Sequence, residues 1–415
     1  MKILPAPDKR LTWLFNLSAL LILSTVIFTF FDKKDGRIFF FISSYLAAFG
    51  MLYRRLSLSR SEYFFIGSLF LLGLSKVVWF GIEYIGQPDF DIYNSYLASG
   101  KRVMIAAFIA LFLLGNKRLL SPVHAQFIKY GLLVALLVAT CVGGWQILHH
   151  VDRVDFYQGR ATDASYMYAG LATAVIFMLL QDANQRWHYL VAAGVFILAF
   201  LMISVTETRN TMASFPLALL IIGVLKFRHF GWKGFAIVFV TLFVLIAASY
   251  KLVIAPRVAT TVQEYQIFEQ SDGNDLGSLT TRLAMWNVGL KSFAAHPFGM
   301  SQEDRTQWFK DYVATTHKDK SSLAYVNIHL HDELIETASL QGVLGLAVLV
   351  FYYITNLTLG WRYRNPAFLS VVLVVMLSGL TDVIFISRDQ TIFFPVLMLL
   401  TLLWQLSRPA PQVTS

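Results

Sequence analysis

The residues whose types and positions suit chemistry are charged or titratable side chains at the ends of long apolar runs. A charge at the centre of a membrane helix costs about 2.5 to 3.5 kcal/mol on insertion scales, so a charge that persists near such a run calls for a functional hypothesis. Four places in the chain meet this condition: residues 206–210, the stretch around Arg282, residues 327–336 and residues 380–388.

Two arginines are candidates for binding an anion. Arg209 lies in a connection of only a few residues between two apolar runs, and Arg282 falls in the first turn of a predicted helix, where a cation opposes the helix dipole. A phosphate docked at that N-terminus would interact with free backbone N–H groups, the dipole and the guanidinium together. The alternatives are an Arg209 that pairs with Glu207 and an Arg282 that is simply solvated.

A titratable cluster occurs where a polar stretch returns to an apolar run. His329 and His331 are followed at once by Asp332. A histidine exchanges a proton near neutral pH and therefore suits a general base or acid, and a flanking carboxylate can orient its ring. The spacing matches no common zinc signature and no third histidine is near, so we predict no metal site. Asp332 also suits the N-cap of the helix that follows.

Asp382 and Arg388 flank the end of another apolar run. They are secondary candidates for the site, together with His329 and Asp332. Pairing of Asp382 with Arg388, as a structural ion pair, is favoured over pairing with the histidine cluster.

The composition indicates the environment that must position these groups. Hydrophobic residues make up 56% of the chain, charged residues 14%, and the mean hydropathy is +0.59. A soluble core has no place for so much apolar surface. Only helices satisfy all backbone groups within a lipid-embedded run of about 20 residues. We therefore predict an all-α polytopic membrane protein of about 12 transmembrane helices, at residues 11–31, 37–53, 63–81, 101–115, 129–148, 165–181, 188–205, 211–226, 234–254, 333–356, 366–386 and 391–406.

The distribution of basic residues predicts the orientation. With a cytoplasmic N-terminus, most inside loops are rich in Lys and Arg, although Lys33, Lys34 and Arg37 run against the trend. The positive-inside rule then places both termini in the cytoplasm. The net charge of +9 comes mostly from the basic residues of these loops, so nucleic acid is not an expected partner. The single Cys141 lies in an apolar span and excludes an intrachain disulfide.

The chain divides into three predicted segments. Residues 1–254 form about nine spans, residues 255–332 a large loop on the side opposite the cytoplasm, and residues 333–415 about three spans with a short tail. Apolar residues at helical spacing predict one amphipathic helix from Ser278 to Ala295. A capping signature at Ser301 predicts the start of a second helix.

Taken together, these motifs resemble the O-antigen ligase family, often called WaaL. The resemblance is carried by the Thr-x-Thr-Arg connection at residues 206–209, by Thr-Arg-Leu-Ala-Met-Trp at 281–286, and by His-Leu-His-Asp-Glu-Leu-Ile-Glu at 329–336 with the Ser-Leu-Gln-Gly-Val-Leu-Gly that follows. Each motif alone is weak, whereas the ordered set on a polytopic scaffold is fairly specific.

The resemblance implies a GT-C-like inner-membrane enzyme. Its donor would be O-antigen polysaccharide on undecaprenyl diphosphate, and its acceptor a core-sugar hydroxyl of lipid A-core, both at the periplasmic face. It implies no metal and no nucleotide cofactor. Residue by residue, it assigns Arg209 and Arg282 to the diphosphate and His331 to deprotonation of the acceptor hydroxyl. Asp332 stands where many relatives carry Asn, which leaves the partner of His331 open.

Four other functions are compatible with the sequence. An O-antigen polymerase and a protein O-oligosaccharyltransferase share this layout and differ only in the acceptor. A lipid-linked glycan transporter would use the charges as a translocation path, but it predicts repeats or matched broken helices, and the sequence contains neither. A purely structural membrane scaffold is the remaining alternative.

Overall fold

The computed structural model describes residues 9–53, 56–85, 91–182, 186–227 and 255–408. Within these residues the chain is helical, with short 3-10 turns and no strand. The helices are α1 (Lys9–Thr29), α2 (Lys33–Met51), α3 (Arg60–Tyr84), α4 (Asp91–Gly115), α5 (Pro122–Leu148), α6 (Ala161–Gln181), α7 (Arg186–Ser204), α8 (Arg209–Phe227), α9 (Ala255–Gln270), α10 (Ser278–Ala295), α11 (Gln302–Thr316), α12 (Glu333–Arg362), α13 (Pro366–Gly379) and α14 (Gln390–Ser407).

The chain is a polytopic membrane protein. Among the described residues, eight helices are long and apolar enough to cross a bilayer, and α8 and α13 contribute shorter apolar stretches. The predicted span at 234–254 lies outside the described residues, so the total of about twelve stays a prediction. α6 and α14 are the most deeply buried spans, whereas α7 lies at the periphery.

Two boundaries differ from the sequence prediction. The span predicted at 366–386 is wrong in its second half, because α13 ends at Gly379 and the chain continues through a turn and a buried 3-10 helix, Ile384–Ile386. The segment between residues 255 and 332 also holds three helices, since α9 precedes the two that were predicted. α10 and α11 have the predicted start points, and Ser301 caps α11 by accepting the Asp304 N–H.

A break in α12 anchors the polar segment to the bundle. Gly342 has φ +66°, and the helix is interrupted there. The loop between α10 and α11 inserts into the gap, where the Met300 N–H donates to the Leu340 carbonyl at 3.0 Å and the Val343 N–H donates to the Pro297 carbonyl at 2.8 Å. These bonds satisfy two of the groups that the break frees.

Glycine is required at this junction. A Cβ on Gly342 would collide with the backbone of Phe298, and a Cβ on Gly299, at φ +93°, would collide with the Leu340 carbonyl. The Trp79 indole donates to the Met300 carbonyl at 3.1 Å and fixes the loop from the side of α3. The junction therefore sets where α10 and α11 lie relative to the start of α12.

Candidate active site

The N-terminus of α12 presents the predicted histidine cluster. Asp332 caps the helix, its side chain accepting the Ile335 N–H at 2.8 Å, as predicted. The preceding His331 has φ +52°, a left-handed conformation that is uncommon and unfavourable for a residue with a side chain. Its backbone N–H donates to Nδ1 of His329 at 3.2 Å. The two imidazole rings lie 4.2 Å apart between centroids.

A carboxylate from a distant part of the chain faces both rings. Oδ1 of Asp382 lies 3.6 Å from Nδ1 of His331 and 3.9 Å from Nε2 of His329. The first distance is longer than a formed hydrogen bond, a common feature of catalytic pairs before substrate binds. Asp382, and not the capping Asp332, is therefore the carboxylate that can orient His331.

The early end of α13 explains how Asp382 comes to this position. Glu333 accepts the Phe385 N–H at 2.9 Å, and the Ser99 hydroxyl donates to the Ile386 carbonyl at 2.8 Å. These bonds hold the segment after α13 against α12 and α4. The predicted pairing of Asp382 with Arg388 is wrong, because the buried 3-10 turn separates the two and Arg388 is exposed on its far side.

Burial distinguishes the two histidines. The side chain of His329 is 9% exposed and that of His331 is 23% exposed. Burial, and next the charge of His331, lower the pKa of His329 to about 4, so its ring is neutral at physiological pH. His329 is thus suited to support the backbone of His331, while the more accessible His331 is suited to exchange a proton with a ligand.

The electrostatics of Asp382 complement this arrangement. Its burial acts to raise the pKa, but the interaction with His331 and the charges of both imidazoles outweigh burial and keep the pKa of Asp382 below its usual value. The carboxylate stays ionised and stabilises a positive charge on the His331 ring.

A polar chain connects this cluster to the helix that carries Arg209. The Tyr166 hydroxyl donates to Oδ2 of Asp382 at 3.5 Å and accepts from the Asn210 amide at 3.4 Å. Arg209 is the first residue of α8, and its side chain is exposed. Asn210, at the start of α8, and Asp382, beside the histidines, therefore contact the same tyrosine hydroxyl.

Arg282 also lies near this chain. Its charge acts on the Tyr166 hydroxyl, as does that of Asp382, and its side chain is partly buried. The guanidinium of Arg282 therefore lies close enough to act electrostatically on the Tyr166 hydroxyl, which also contacts Asp382 and Asn210.

The phosphate-binding role predicted for the N-terminus of α10 needs correction. Arg282 is the fifth residue of α10, in the second turn and not the first. The Leu279 N–H at that end is taken by the carboxylate of Glu264 at 2.7 Å, and the Thr280 hydroxyl donates to the carbonyl of the same glutamate at 3.1 Å. Because the Glu264 carboxylate of α9 already accepts a backbone N–H at this end of α10, Arg282 would have to bind a phosphate through its side chain.

A buried charge network beneath the cluster was not predicted from the sequence. Arg305 and Glu336 form an ion pair at 2.7 Å, and Lys76 lies 3.7 Å from Glu333, with all four side chains almost fully buried. Tyr96 donates a short hydrogen bond to Glu336. The sequence signal was available, since Lys76 lies inside a predicted span and a charge at that depth requires a partner.

This network forms hydrogen bonds to the chain near His331. Glu336 accepts the Leu330 N–H at 2.8 Å, and Arg305 donates to the Val326 carbonyl at 3.1 Å and to the Ser339 hydroxyl at 3.0 Å. The charges therefore bind the backbone ahead of the histidine pair, at Val326, and between its two members, at Leu330. Their role is to position the cluster from below.

The cluster also has the ligand types of a metal site. Donor atoms of His329, His331 and Asp382 all lie within 4.8 Å of one another. However, Nδ1 of His329 accepts a backbone N–H, which puts the ring hydrogen on Nε2, the nitrogen that faces Asp382. A metal ion would need a lone pair there. The hydrogen-bonding pattern fits a proton-handling cluster better than a metal centre.

Comparison with known proteins agrees with the motifs. Residues 194–350 match the family model described as O-antigen ligase. The chain is also 28% identical over 330 residues to the O-antigen ligase of Escherichia coli (strain K12), covering 78% of this chain and 76% of that protein. Residues 194–350, which the family model covers, include Arg209, Arg282 and His331. Residues 194–350 of this membrane protein are therefore similar to the O-antigen ligase domain, and the chain is similar to an O-antigen ligase over most of its length.

Proposed function

We propose that this protein transfers O-antigen polysaccharide from undecaprenyl diphosphate to a core-sugar hydroxyl of lipid A-core, at the periplasmic face of the inner membrane. The observation that carries the proposal is the pairing of His331 with Asp382 at the rim of a helical bundle, joined through Tyr166 to the start of α8. The substrates are inferred from the family resemblance, and the reaction mechanism is inferred from the side chains.

Proton transfer is the first requirement of the reaction. With Nδ1 of His331 turned toward Asp382, Nε2 is the free nitrogen that accepts the proton of the acceptor hydroxyl. The carboxylate stabilises the imidazolium that results. Tyr325 packs edge-on against the His331 ring, with centroids 5.8 Å apart, and restricts its rotation.

Charge development on the leaving group is the second requirement. The acceptor oxygen attacks the anomeric carbon while the bond from that carbon to the diphosphate oxygen breaks, so the configuration inverts. Undecaprenyl diphosphate departs with the added negative charge. Arg209 and Arg282 have planar guanidiniums that can bind phosphate oxygens in a bidentate manner, and in a low-dielectric cleft this favours the transition state over the ground state.

Ligation by the purified chain, reconstituted with lipid-linked O-antigen and lipid A-core, tests this proposal. We expect Arg282→Lys to retain charge but lose most ligation, because one ammonium cannot replace a bidentate fork. Full ligation by Arg282→Lys would contradict the assigned role. Transfer to growing glycan or to protein, with none to lipid A-core, would replace the ligase by a polymerase or a protein O-oligosaccharyltransferase.

A further inference from the structure

A second cationic cluster lies at the same end of the bundle as the histidines. It consists of Arg37 at the start of α2, Arg102 in α4 and Arg388 before α14, with Asp389 beside them. Arg37 and Arg388 act on Arg102 as like charges, and Asp389 acts on it as the opposite charge. The segment that carries Arg388 is the one that brings Asp382 to His331.

The carboxylate of this cluster is already occupied. Arg37 binds Asp389 through two hydrogen bonds, from Nε at 2.6 Å and from Nη2 at 2.8 Å. This bidentate geometry uses both carboxylate oxygens. Arg102 and Arg388 are therefore left as a pair of cations without a carboxylate in the described part of the chain.

Arg102 has donors that lack an acceptor. Its Nε and Nη1 atoms are inaccessible to solvent, and neither makes a hydrogen bond to any residue that the structure describes. A buried, charged donor without an acceptor is strongly unfavourable, and native structures rarely leave one so. Ser99, one turn earlier on α4, is bonded to the segment leading to Arg388, so the helix position is fixed. Because the Arg102 side chain as a whole is partly exposed, rotation of the guanidinium toward an external acceptor would satisfy these donors.

We propose that Arg102 and Arg388 bind the phosphate group of a membrane lipid, at a site separate from Arg209 and Arg282. A phosphate ester offers the anionic oxygens that the two unbonded donors of Arg102 need, and guanidinium groups can bind phosphate oxygens in a bidentate manner. Arg102 lies within a membrane-spanning helix, so its ligand approaches from the lipid phase.

Two lipids have this chemistry, a phosphorylated glycolipid and a bilayer phospholipid. In taking the glycolipid to be the acceptor, the inference rests on the proposed function, whereas the phosphate site itself does not. Bound through its phosphate here, a glycolipid would present its sugars toward the loop that carries Asp382.

Lipid binding to the purified full-length chain in detergent tests the site. Native mass spectrometry would be used to titrate lipid A bearing its phosphates, lipid A with the phosphates removed, and phosphatidylglycerol. Arg102→Gln should weaken binding of a phosphorylated lipid by about tenfold or more, the loss expected for charge-assisted hydrogen bonds. Lys101→Gln, an equal charge change at an exposed neighbour, should change binding by less than about twofold.

Each outcome of the titration either supports or overturns the proposed phosphate site. Weakened binding of phosphorylated lipid A alone supports a glycolipid ligand, and weakened binding of both phosphorylated lipids supports a phospholipid site. Unchanged binding by Arg102→Gln, or equal binding of dephosphorylated lipid A by the unaltered chain, overturns the proposal. Should Arg102→Gln fail to fold, the exposed Arg388→Gln replaces it, and unchanged binding there has the same meaning.

The proposed function can fail separately. Arg282→Lys should lose ligation and keep phosphate-dependent lipid binding at Arg102. If the unaltered chain binds the lipid but ligates nothing, the ligase assignment is lost and the phosphate site stands.

Discussion

Replacement of Asp382 by Asn removes the charge that faces His331 while preserving shape. The amide oxygen can still accept from the Val383 N–H, which now donates to Oδ1 of Asp382 at 2.9 Å. At the observed 3.6 Å, Coulomb's law with an effective dielectric constant of about 20 gives about 4.6 kcal/mol between full charges. If the proton is half transferred to His331 in the transition state, Asp382 stabilises that state by about half of this energy. Loss of the charge should therefore lower kcat about 50-fold.

The assay is ligation by reconstituted protein at saturating donor and acceptor. Because Asp382 acts only as charge develops on the imidazole, kcat should fall while KM stays nearly constant. Asp332→Asn is the matched control, since Asn caps a helix as well as Asp and should preserve turnover. The reasoning is refuted if Asp382→Asn keeps more than half of kcat, or if Asp332→Asn loses as much.

Three further predictions concern the elements that hold the site. Gly342→Ala should destabilise the docked loop by about 1 to 3 kcal/mol and reduce ligation, whereas Gly144→Ala in α5, where a Cβ meets nothing within 4 Å, should be neutral; equal thermal unfolding midpoints and equal ligation would contradict this. Arg305→Met leaves a buried charge unpaired and should lower stability by about 3 to 5 kcal/mol, measured by denaturant unfolding; an unchanged midpoint would dismiss the role of the ion pair. The pKa of His329, lowered to about 4, means that the unfolded chain takes up a proton first as pH falls, so stability should be full above about pH 6.5 and decline by up to about 3 kcal/mol toward pH 4. The unfolding midpoint of His329→Gln should decline less over this range, and an equal decline would count against the buried neutral ring.

Much of the fold follows from the sequence, because hydropathy and capping are local properties. Helix α10 begins at Ser278, and Ser301 and Asp332 cap the helices that they were predicted to cap. The end of α13 could not be predicted from such local properties. Residues 380–386 are mostly apolar, but Glu333 and Ser99, far away in sequence, hold their backbone in a turn.

The candidate site shows the same limit. His331 was identifiable from its motif, but its partner was not, since Asp332 is adjacent in sequence while Asp382 is adjacent in space. The role assigned to the N-terminus of α10 failed because Glu264, in a helix that was not predicted, occupies the Leu279 N–H. Long-range pairing of charges decides these contacts, and periodicity carries no information about it.

The most direct test of the account is single-turnover ligation by the chain loaded with lipid-linked donor. His331→Ala should bind the donor as the unaltered chain does and transfer no glycan on the same time scale, because Arg209 and Arg282 hold the diphosphate while the base is missing. Glycan transfer by His331→Ala at an undiminished rate, or loss of donor binding in that variant, would contradict the division of roles between the arginines and the histidine.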